Sequence, residues 1–309
     1  MGNTDTTNGI FYNTKIQIFE VHDRVTLIGA YAFYNQKVLT TLTMGKGNQV
    51  TDIGKYAFGA TSATKLANLT LGPNLKNIHP YALARIPAKT ITIPKSVELV
   101  DEYAFNYASA TEVIFESGGT APLIVKRYAF GNMSKLNTMT LPARLQEIYQ
   151  ADYLASFENM EVKDVSNRFY NDRALEAINV EPGGQSYCSV DGVLYEVDPD
   201  GNPAILLYSP LGKTGEYVVP KEVRAVENAA FLNTKLTKIS FEEYPADHEL
   251  YGQQLLEVGR GKTKGALANY SYFVFSGSVK EINFPSHLKR LGAQTCYNLK
   301  TAGTQINFN

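Results

Sequence analysis

The sequence predicts an α/β repeat solenoid, with a parallel β-sheet on one face, short helical turns on the other, and one inserted β-hairpin. Three observations predict this fold. A motif of the form Ile-Gly-x-Tyr-Ala-Phe returns every 22 to 25 residues, an alternating segment follows each copy, and several of these segments end at a proline. A period of this length is typical of units that cannot bury their apolar face alone and therefore stack on their neighbours.

The motif places an aromatic residue at a fixed point of each unit. Its copies occupy residues 28–33, 53–58, 78–83, 100–105 and 125–130, with Tyr31, Tyr56, Tyr81, Tyr103 and Tyr128. We expect a short helical turn here, since the small alanine permits close approach and the phenylalanine fills the interior. Several copies are followed by a residue type that tolerates the left-handed backbone at the end of a helical turn. These residues are Asn35, Gly59, Asn106, Gly131 and Asn233.

The segments that follow the motif are predicted strands. Residues 39–44, 66–71, 89–93, 112–115 and 136–141 alternate between apolar and polar side chains, which predicts one inward and one outward face. The outward residues include many threonines, which suit a half-exposed pleat. Weaker strand patterns follow at 157–162, 175–180, 216–220, 236–241, 279–284 and 305–308. Proline lacks the N–H that a strand needs, and it ends strands at Pro94, Pro142, Pro220 and Pro285.

Two insertions interrupt what we predict to be a single repeat domain over residues 11–309, preceded by a polar tether of residues 1–10. Apolar runs on both sides of the Asp-Pro-Asp-Gly-Asn segment at 198–202 predict a β-hairpin over about 187–210. An irregular stretch covers about 242–270. Residues 11–15 echo residues 231–235, so the array opens in mid-repeat, either as a cap built from a partial unit or as a longer array that was cut.

Charge and composition narrow the classes of partner. Lys and Arg number 29 and Asp and Glu 30, for a net charge of -1, which disfavours nucleic acid and anionic membranes. No apolar run approaches the roughly 18 residues of a membrane span. Cys188 and Cys296 match no zinc spacing, and Cys296 stands where other copies of the motif have phenylalanine, so we expect a core thiol there.

The sequence contains no complete catalytic or cofactor motif. The segments Gly212-Lys213-Thr214 and Gly261-Lys262-Thr263 lack the earlier glycine of a phosphate-binding loop. The four histidines have no metal-ligand spacing, and no serine has a Gly-x-Ser-x-Gly setting. We therefore predict no catalytic residue, no metal and no cofactor.

Two surfaces are candidates for recognition. The first is the outward face of the strands, with Thr43, Thr70, Thr92, Ile114, Thr140, Glu161, Ser240 and Asn283. Repeat proteins often bind extended partners on such a surface, although threonine also occurs there for its strand propensity alone. The second is a basic segment flanked by glycines, with Arg260, Lys262 and Lys264, for which a solvated loop is the alternative.

The combination of Ile-Gly-x-Tyr-Ala-Phe, a Leu-x-x-Ile-x-Ile-Pro strand and a Val-x-x-Ile return closely resembles the BspA-like leucine-rich-repeat family of bacterial cell-surface proteins. The Val-Asp-Gly-Val-Leu-Tyr segment at 190–195 also resembles a recurring element of that family. The resemblance implies a leucine-rich-repeat right-handed superhelix and a secreted or surface-anchored protein, with any signal or anchor segment outside this sequence. It also implies non-enzymatic binding to another protein, with host extracellular matrix as one possibility.

Two other functions stay open at this point. An accessory glycan-binding protein would stack sugars on exposed aromatic residues such as Tyr244, Tyr251 and Tyr270. An enzyme would have its site in the insertions. Clustered exposed tyrosines would favour the glycan, whereas an acid, a base and a nucleophile that converge in one pocket would favour the enzyme.

Overall fold

The computed structural model describes residues 9–61, 66, 68–148, 169–252, 256–259, 274–292, 295–296, 298–299 and 303–309. The chain forms two compact units. The first consists of Met1–Ile148 and Asn167–Ala174, and the second of Tyr149–Ser166 and Leu175–Asn309. The predicted strand at 157–162 lies outside the described residues, as do the first eight residues of the predicted tether. A single domain over 11–309 stays a prediction.

The first unit is a stack of coils, each of which contributes one longer and one shorter strand. Its strands are β1 (Ile18–Val21), β2 (Leu27–Ile28), β3 (Thr41–Met44), β4 (Asp52–Ile53), β5 (Asn68–Thr70), β6 (Asn77–Ile78), β7 (Thr90–Ile93), β8 (Leu99–Val100), β9 (Glu112–Phe115), β10 (Leu123–Val125), β11 (Thr138–Leu141) and β12 (Leu145–Glu147).

Parallel pairing joins equivalent strands of successive coils. The longer strands pair in the order β1-β3-β5, and again β7 with β9 and β9 with β11. The shorter strands form a six-stranded sheet in the order β12-β10-β8-β6-β4-β2. The predicted parallel-sheet solenoid is confirmed. The second sheet was not predicted, because most of its strands are only two residues long and too short to show an alternating pattern.

The prediction of helical turns at the motif is wrong, since the described residues contain no α-helix. The motif forms successive tight turns instead. Its tyrosine has left-handed backbone, with φ of 57° at Tyr31 and 55° at Tyr56, which a right-handed helix does not allow. Alternate N–H groups donate to the next coil, as from Tyr31 to the carbonyl of Lys55 at 2.9 Å and from Phe33 to that of Ala57 at 2.7 Å.

A second left-handed position lies four residues after the tyrosine. The prediction of left-handed backbone is confirmed at Asn35 and Asn233 and wrong at Gly59, Asn106 and Gly131. In those three coils the next residue has positive φ instead, and it is Ala60, Tyr107 or Asn132. The geometry of the coil therefore fixes which residue has left-handed backbone. A glycine one residue earlier does not take over this conformation.

The core of the first unit lies between the longer strands and the sheet of shorter strands. The inward residues of the longer strands, including Leu42, Ile91, Val113 and Met139, are buried. The motif phenylalanines are buried as well and stack along the coils, with ring centroids 5.0 Å apart for Phe33 and Phe58 and 5.5 Å apart for Phe105 and Phe130. Burial of such side chains is the main stabilising contribution of a solenoid.

The second unit combines an antiparallel segment with parallel coils. Its strands are β13 (Ala177–Val180), β14 (Tyr187–Val190), β15 (Val193–Val197), β16 (Pro203–Tyr208), β17 (Thr214–Val219), β18 (Ala225–Val226), β19 (Lys235–Phe241), β20 (Leu256–Val258), β21 (Ser276–Gly277), β22 (Glu281–Phe284), β23 (Leu288–Leu291), β24 (Asn298–Leu299) and β25 (Gln305–Phe308).

The predicted antiparallel pairing of β15 with β16 around residues 198–202 is confirmed. β14 also pairs antiparallel with β15, across a two-residue turn in which Asp191 and Gly192 both have positive φ. That conformation matches the twist of a tight hairpin. β16 then pairs in parallel with β18, followed by β20 and β23, while β17, β19, β22 and β25 form a second parallel sheet. Among the described residues, no helix is long and apolar enough to cross a membrane.

Candidate protein-binding surfaces

The strand face of the first unit brings several predicted residues side by side. Thr43 on β3 lies opposite Thr70 on β5. Ile114 on β9 lies between Thr92 on β7 and Thr140 on β11. A second column, two residues earlier on each strand, consists of Thr90, Glu112 and Thr138. Strand pairing therefore makes ordered columns of residues that are 22 to 27 positions apart in the chain.

The side chains of this face have no partner within the described part of the chain. Thr92, Ile114 and Thr140 are exposed, with Ile114 at 41%. Neither a hydrogen bond nor an ion pair engages the side chains of Thr92, Thr140 or Glu112 among the described residues. The face is held by the backbone ladders beneath it, so binding would not have to order it first.

The strand face of the second unit is different, because its polar side chains bind one another. Ser240 on β19 lies opposite Asn283 on β22. The Asn283 amide donates to Ser240 Oγ at 3.3 Å and accepts from the Asn307 amide at 2.6 Å. Beside them, Lys238 Nζ lies 3.2 Å from Glu281 Oε1. A partner that binds here must compete with these existing contacts.

The remaining predicted binding residues lie outside the described residues. They are Glu161 of the strand face and Arg260, Lys262 and Lys264 of the basic segment. Both stay predictions.

The tyrosines considered for glycan stacking differ from one another. Tyr244 is half-buried, and its ring stacks on His248 with centroids 4.5 Å apart. Lys221 Nζ lies 5.6 Å from the centre of the same ring. Tyr251 is exposed at 43%, and Tyr270 lies outside the described residues. The described residues therefore offer one open aromatic ring in this stretch, where sugar recognition commonly uses several.

Sequence reasoning missed a surface that the motif tyrosines form together. Tyr31, Tyr56, Tyr81, Tyr103 and Tyr128, here called the tyrosine ladder, are half-buried and stack in order along the first unit. Ring centroids are 4.5 Å apart for Tyr56 and Tyr81 and 4.6 Å apart for Tyr81 and Tyr103. A tyrosine at one fixed point of a parallel stack was the signal that could have revealed it.

Three tyrosines of the ladder have raised pKa values. Burial, together with the neighbouring Tyr56 and Tyr103, raises the pKa of Tyr81 to about 12. Burial also raises the pKa of Tyr31 and Tyr56. Each inner ring has tyrosines on both faces, so these faces cannot stack on a sugar. The raised pKa values keep the phenol groups of Tyr31, Tyr56 and Tyr81 neutral at physiological pH.

Other polar groups have structural roles. Lys213 Nζ lies 2.9 Å from Asp191 Oδ2 and 2.6 Å from the Asp191 carbonyl, which makes Gly212-Lys213-Thr214 a braced turn at the start of β17. Cys188 and Cys296 are half-buried and pack against the core of the second unit. The thiol predicted to lie in the core at position 296 therefore contacts the core but is only half-buried. Within the described residues, no group of three His, Cys, Asp or Glu side chains could hold a metal ion.

The sequence repeats that form the stacked parallel coils match a known family. The family model for the BspA-type leucine-rich repeat region matches six copies, over residues 4–121, 47–160, 120–181 and 213–309. The chain belongs to this family. No curated protein is significantly similar to this BspA-type repeat protein.

Solved structures resemble this BspA-type repeat protein in fold. A leucine-rich repeat protein from Eubacterium ventriosum is 20% identical, with a TM-score of 0.54 over 100% of this chain and 64% of that chain. A leucine-rich cell surface protein from Faecalibacterium prausnitzii is 21% identical, with a TM-score of 0.53 over 96% of this chain and 80% of that chain. A leucine-rich repeat protein from Bacteroides ovatus is 18% identical, with a TM-score of 0.53 over 97% and 66%. The chain thus spans about two thirds of the length of the Eubacterium ventriosum and Bacteroides ovatus proteins.

Proposed function

We propose that this chain is a non-enzymatic binding module of a secreted or cell-surface protein, and that it binds another protein through the strand face of its first unit. One observation carries the proposal, which is that the side chains around Ile114 are exposed, ordered by the sheet and without a partner among the described residues. Membership of the BspA-type repeat family supports a binding role. The similar structure from Faecalibacterium prausnitzii, a leucine-rich cell surface protein, supports the location.

The face fits a protein partner better than a small molecule. Its residues are spread over neighbouring strands and offer a broad surface, whereas small ligands prefer concave pockets. Exposed Ile114 at its centre offers apolar area, and the threonine hydroxyls around it offer hydrogen bonds. An apolar centre with a polar rim is the common anatomy of protein interfaces.

The test is a binding screen of the purified chain against immobilised extracellular-matrix proteins, with a glycan array in parallel. Ile114→Arg places a long charged side chain at the centre of the face. We expect it to weaken a saturable protein interaction at least about tenfold, the usual scale for a charge forced into an interface centre. An Arg260/Lys262/Lys264→Ala variant tests the basic segment in the same screen.

Leu27→Arg is the matched control, because Leu27 is also an exposed aliphatic residue of the first unit, at 58%, but lies on the sheet of shorter strands. It should bind like the parent chain. Equal loss in both variants, or loss only in the basic-segment variant, would place the site elsewhere. Glycan binding without protein binding would replace the proposal with the accessory glycan-binding function.

A further inference from the structure

We propose that the tyrosine ladder is a site of oxidative cross-linking, at which a peroxidase with hydrogen peroxide joins neighbouring coils through carbon–carbon bonds between their tyrosines. This inference does not depend on the proposed binding function.

Ring geometry is the first argument. Tyr56 and Tyr81 are 9° from parallel with centroids 4.5 Å apart, and Tyr81 and Tyr103 are 4° from parallel at 4.6 Å. Tyr103 and Tyr128 follow at 4.8 Å and 12°. Aromatic rings with this separation and orientation are in offset-stacked contact. Two phenoxyl radicals formed in such a pair would therefore already be in contact and need no diffusion to meet.

Other tyrosine contacts of the first unit are wider or edge-on. Tyr12 and Tyr34 are stacked, 7° from parallel, but their centroids are 5.7 Å apart. Tyr128 and Tyr170 meet at 78° with centroids 5.7 Å apart, and Tyr34 and Tyr56 meet at 81° and 5.9 Å. In these edge-on pairs the faces of the two rings are not in contact. The geometry therefore singles out the neighbours within the ladder, and Tyr81 in particular, since it belongs to the two tightest pairs.

Composition is the second argument. The chain has 20 tyrosines and no tryptophan, so tyrosine is the only large aromatic side chain that gives up one electron readily. Its two cysteines are half-buried. Burial raises the pKa of both thiols, to about 11 for Cys188, so the reactive thiolate is scarce at neutral pH. A one-electron oxidant that reaches the first unit would therefore oxidise its tyrosines.

The reaction balances with hydrogen peroxide as the oxidant. Each of two tyrosines loses its hydroxyl hydrogen, as one proton and one electron, and becomes a phenoxyl radical. The radicals couple between ring carbons adjacent to the oxygens, and each coupled carbon then loses its hydrogen as a proton while its oxygen regains one. The net change is the loss of two hydrogen atoms from the protein and the reduction of one hydrogen peroxide to two waters.

Such a bond would act as a covalent staple between coils. Tyr56 and Tyr81 are 25 residues apart in the chain, and Tyr81 and Tyr103 are 22 apart. A cross-link of that span closes a loop in the unfolded chain and reduces its conformational entropy, which favours the folded state. Because a solenoid can open from one coil to the next, a staple in mid-array would also limit how far opening spreads.

The test is treatment of the dilute full-length chain with horseradish peroxidase and hydrogen peroxide, followed by intact mass and peptide mapping. We expect a monomer that has lost two hydrogens per bond, with cross-linked peptides that join neighbouring ladder tyrosines. Tyr81→Phe keeps a stacked ring but cannot form the radical. It should remove the 56–81 and 81–103 links and lower the total yield by more than half.

Tyr107→Phe is the control, because Tyr107 is more exposed, at 50%, and lies outside the ladder. It should leave yield and positions unchanged. Links spread among tyrosines according to exposure, links that join only separate molecules, or an unchanged yield in Tyr81→Phe would each overturn the proposal. Tyr81→Phe should have the same circular dichroism spectrum and melting temperature as the parent, so that loss of linkage reports on chemistry and not on unfolding.

Discussion

Two residues in most coils of the first unit have left-handed backbone. The residue types at these positions differ in the free energy that they lose by adopting this conformation. The second position is occupied by Asn13, Asn35, Asn132 and Asn171 but also by Ala60 and Arg85. Asparagine tolerates this conformation, whereas most L-residues lose about 1 to 2 kcal/mol there. Asparagines in adjacent coils also meet, since the Asn35 amide lies 3.3 Å from Asn13 Oδ1 and the Asn171 amide 3.3 Å from Asn132 Oδ1.

Ala60→Asn should therefore stabilise the protein. The backbone at position 60, with φ of 54°, suits asparagine better than alanine, and the new amide would lie next to Asn35. We expect a gain of about 0.5 to 1 kcal/mol in the free energy of unfolding, measured by denaturant titration. Ala30→Asn is the control, because Ala30 is exposed and its φ is not positive. No gain at position 60, or an equal gain at position 30, would contradict the explanation.

At the scale of the element, one coil is held together by its neighbours more than by itself. The motif turns leave alternate N–H groups that only the next coil can satisfy, as between Phe58 and the carbonyl of Ala82 at 2.8 Å. The phenylalanine of the same motif is buried and stacks on its counterpart, with Phe33 and Phe58 7° from parallel. Backbone and core are thus coupled across the same boundary between coils.

Phe58→Ala should cost about 3 to 5 kcal/mol in the free energy of unfolding, because it leaves a cavity in a packed core. Hydrogen exchange should quicken in the flanking coils of the first unit as well as at the mutated coil, since each depends on its neighbours. Phe58→Leu is the matched variant, because Leu83 is fully buried at the equivalent position of the next coil. It should cost much less, and faster exchange confined to the mutated coil would argue against coupling between coils.

At the scale of the whole molecule, carboxyl groups in both units link stability to pH. Partial burial raises the pKa of Asp52, but hydrogen bonds from Thr51, Asn77 and His79 outweigh it and leave the pKa below its usual value. The backbone N–H of Asn202 lowers the pKa of Asp198, and the Asn283 amide and Lys238 lower that of Glu281. Asp172 is opposite, since complete burial raises its pKa well above normal.

These shifts predict stability that falls in acid. A carboxyl group whose pKa is lower in the folded chain stabilises it above the unfolded pKa, about 4, and this contribution disappears as pH falls through the folded pKa. The melting temperature should therefore drop below about pH 4. An Asp52→Asn, Asp198→Asn, Glu281→Gln variant should show a smaller drop. If its melting temperature fell in acid as much as that of the parent, these three carboxyl groups would not be the cause of the pH dependence.

Asp172→Asn provides a control of opposite sign. Because the pKa of Asp172 is raised on folding, its contribution is present at low pH and is lost as pH rises above about 4. The amide oxygen can still accept the Met133 N–H, which Asp172 Oδ1 accepts at 2.6 Å. The variant should therefore be more stable than the parent at neutral pH and should gain little at pH 3.

The sequence by itself determined the repeat, the parallel strands and the family. These depend on a local pattern that recurs, in which alternation assigns inward residues such as Leu42 and Met139 and proline marks where strands end. The same local information was enough for the hairpin around residues 198–202, since its turn chemistry lies within five residues. It was also enough to predict that Cys296 contacts the core of the second unit, although this residue is only half-buried.

Only the tertiary structure decided what the motif does and which outward residues are available. Gly-x-Tyr-Ala-Phe is compatible with a helical turn until the next coil accepts its N–H groups, and those acceptors are about 24 residues away. Contact with that coil also turns single tyrosines into a ladder. Likewise, Thr92 and Asn283 look equivalent in sequence, but Asn283 is bound by its neighbours while Thr92 is not. A local pattern specifies the coil, whereas the partners of each group depend on residues that stacking brings together.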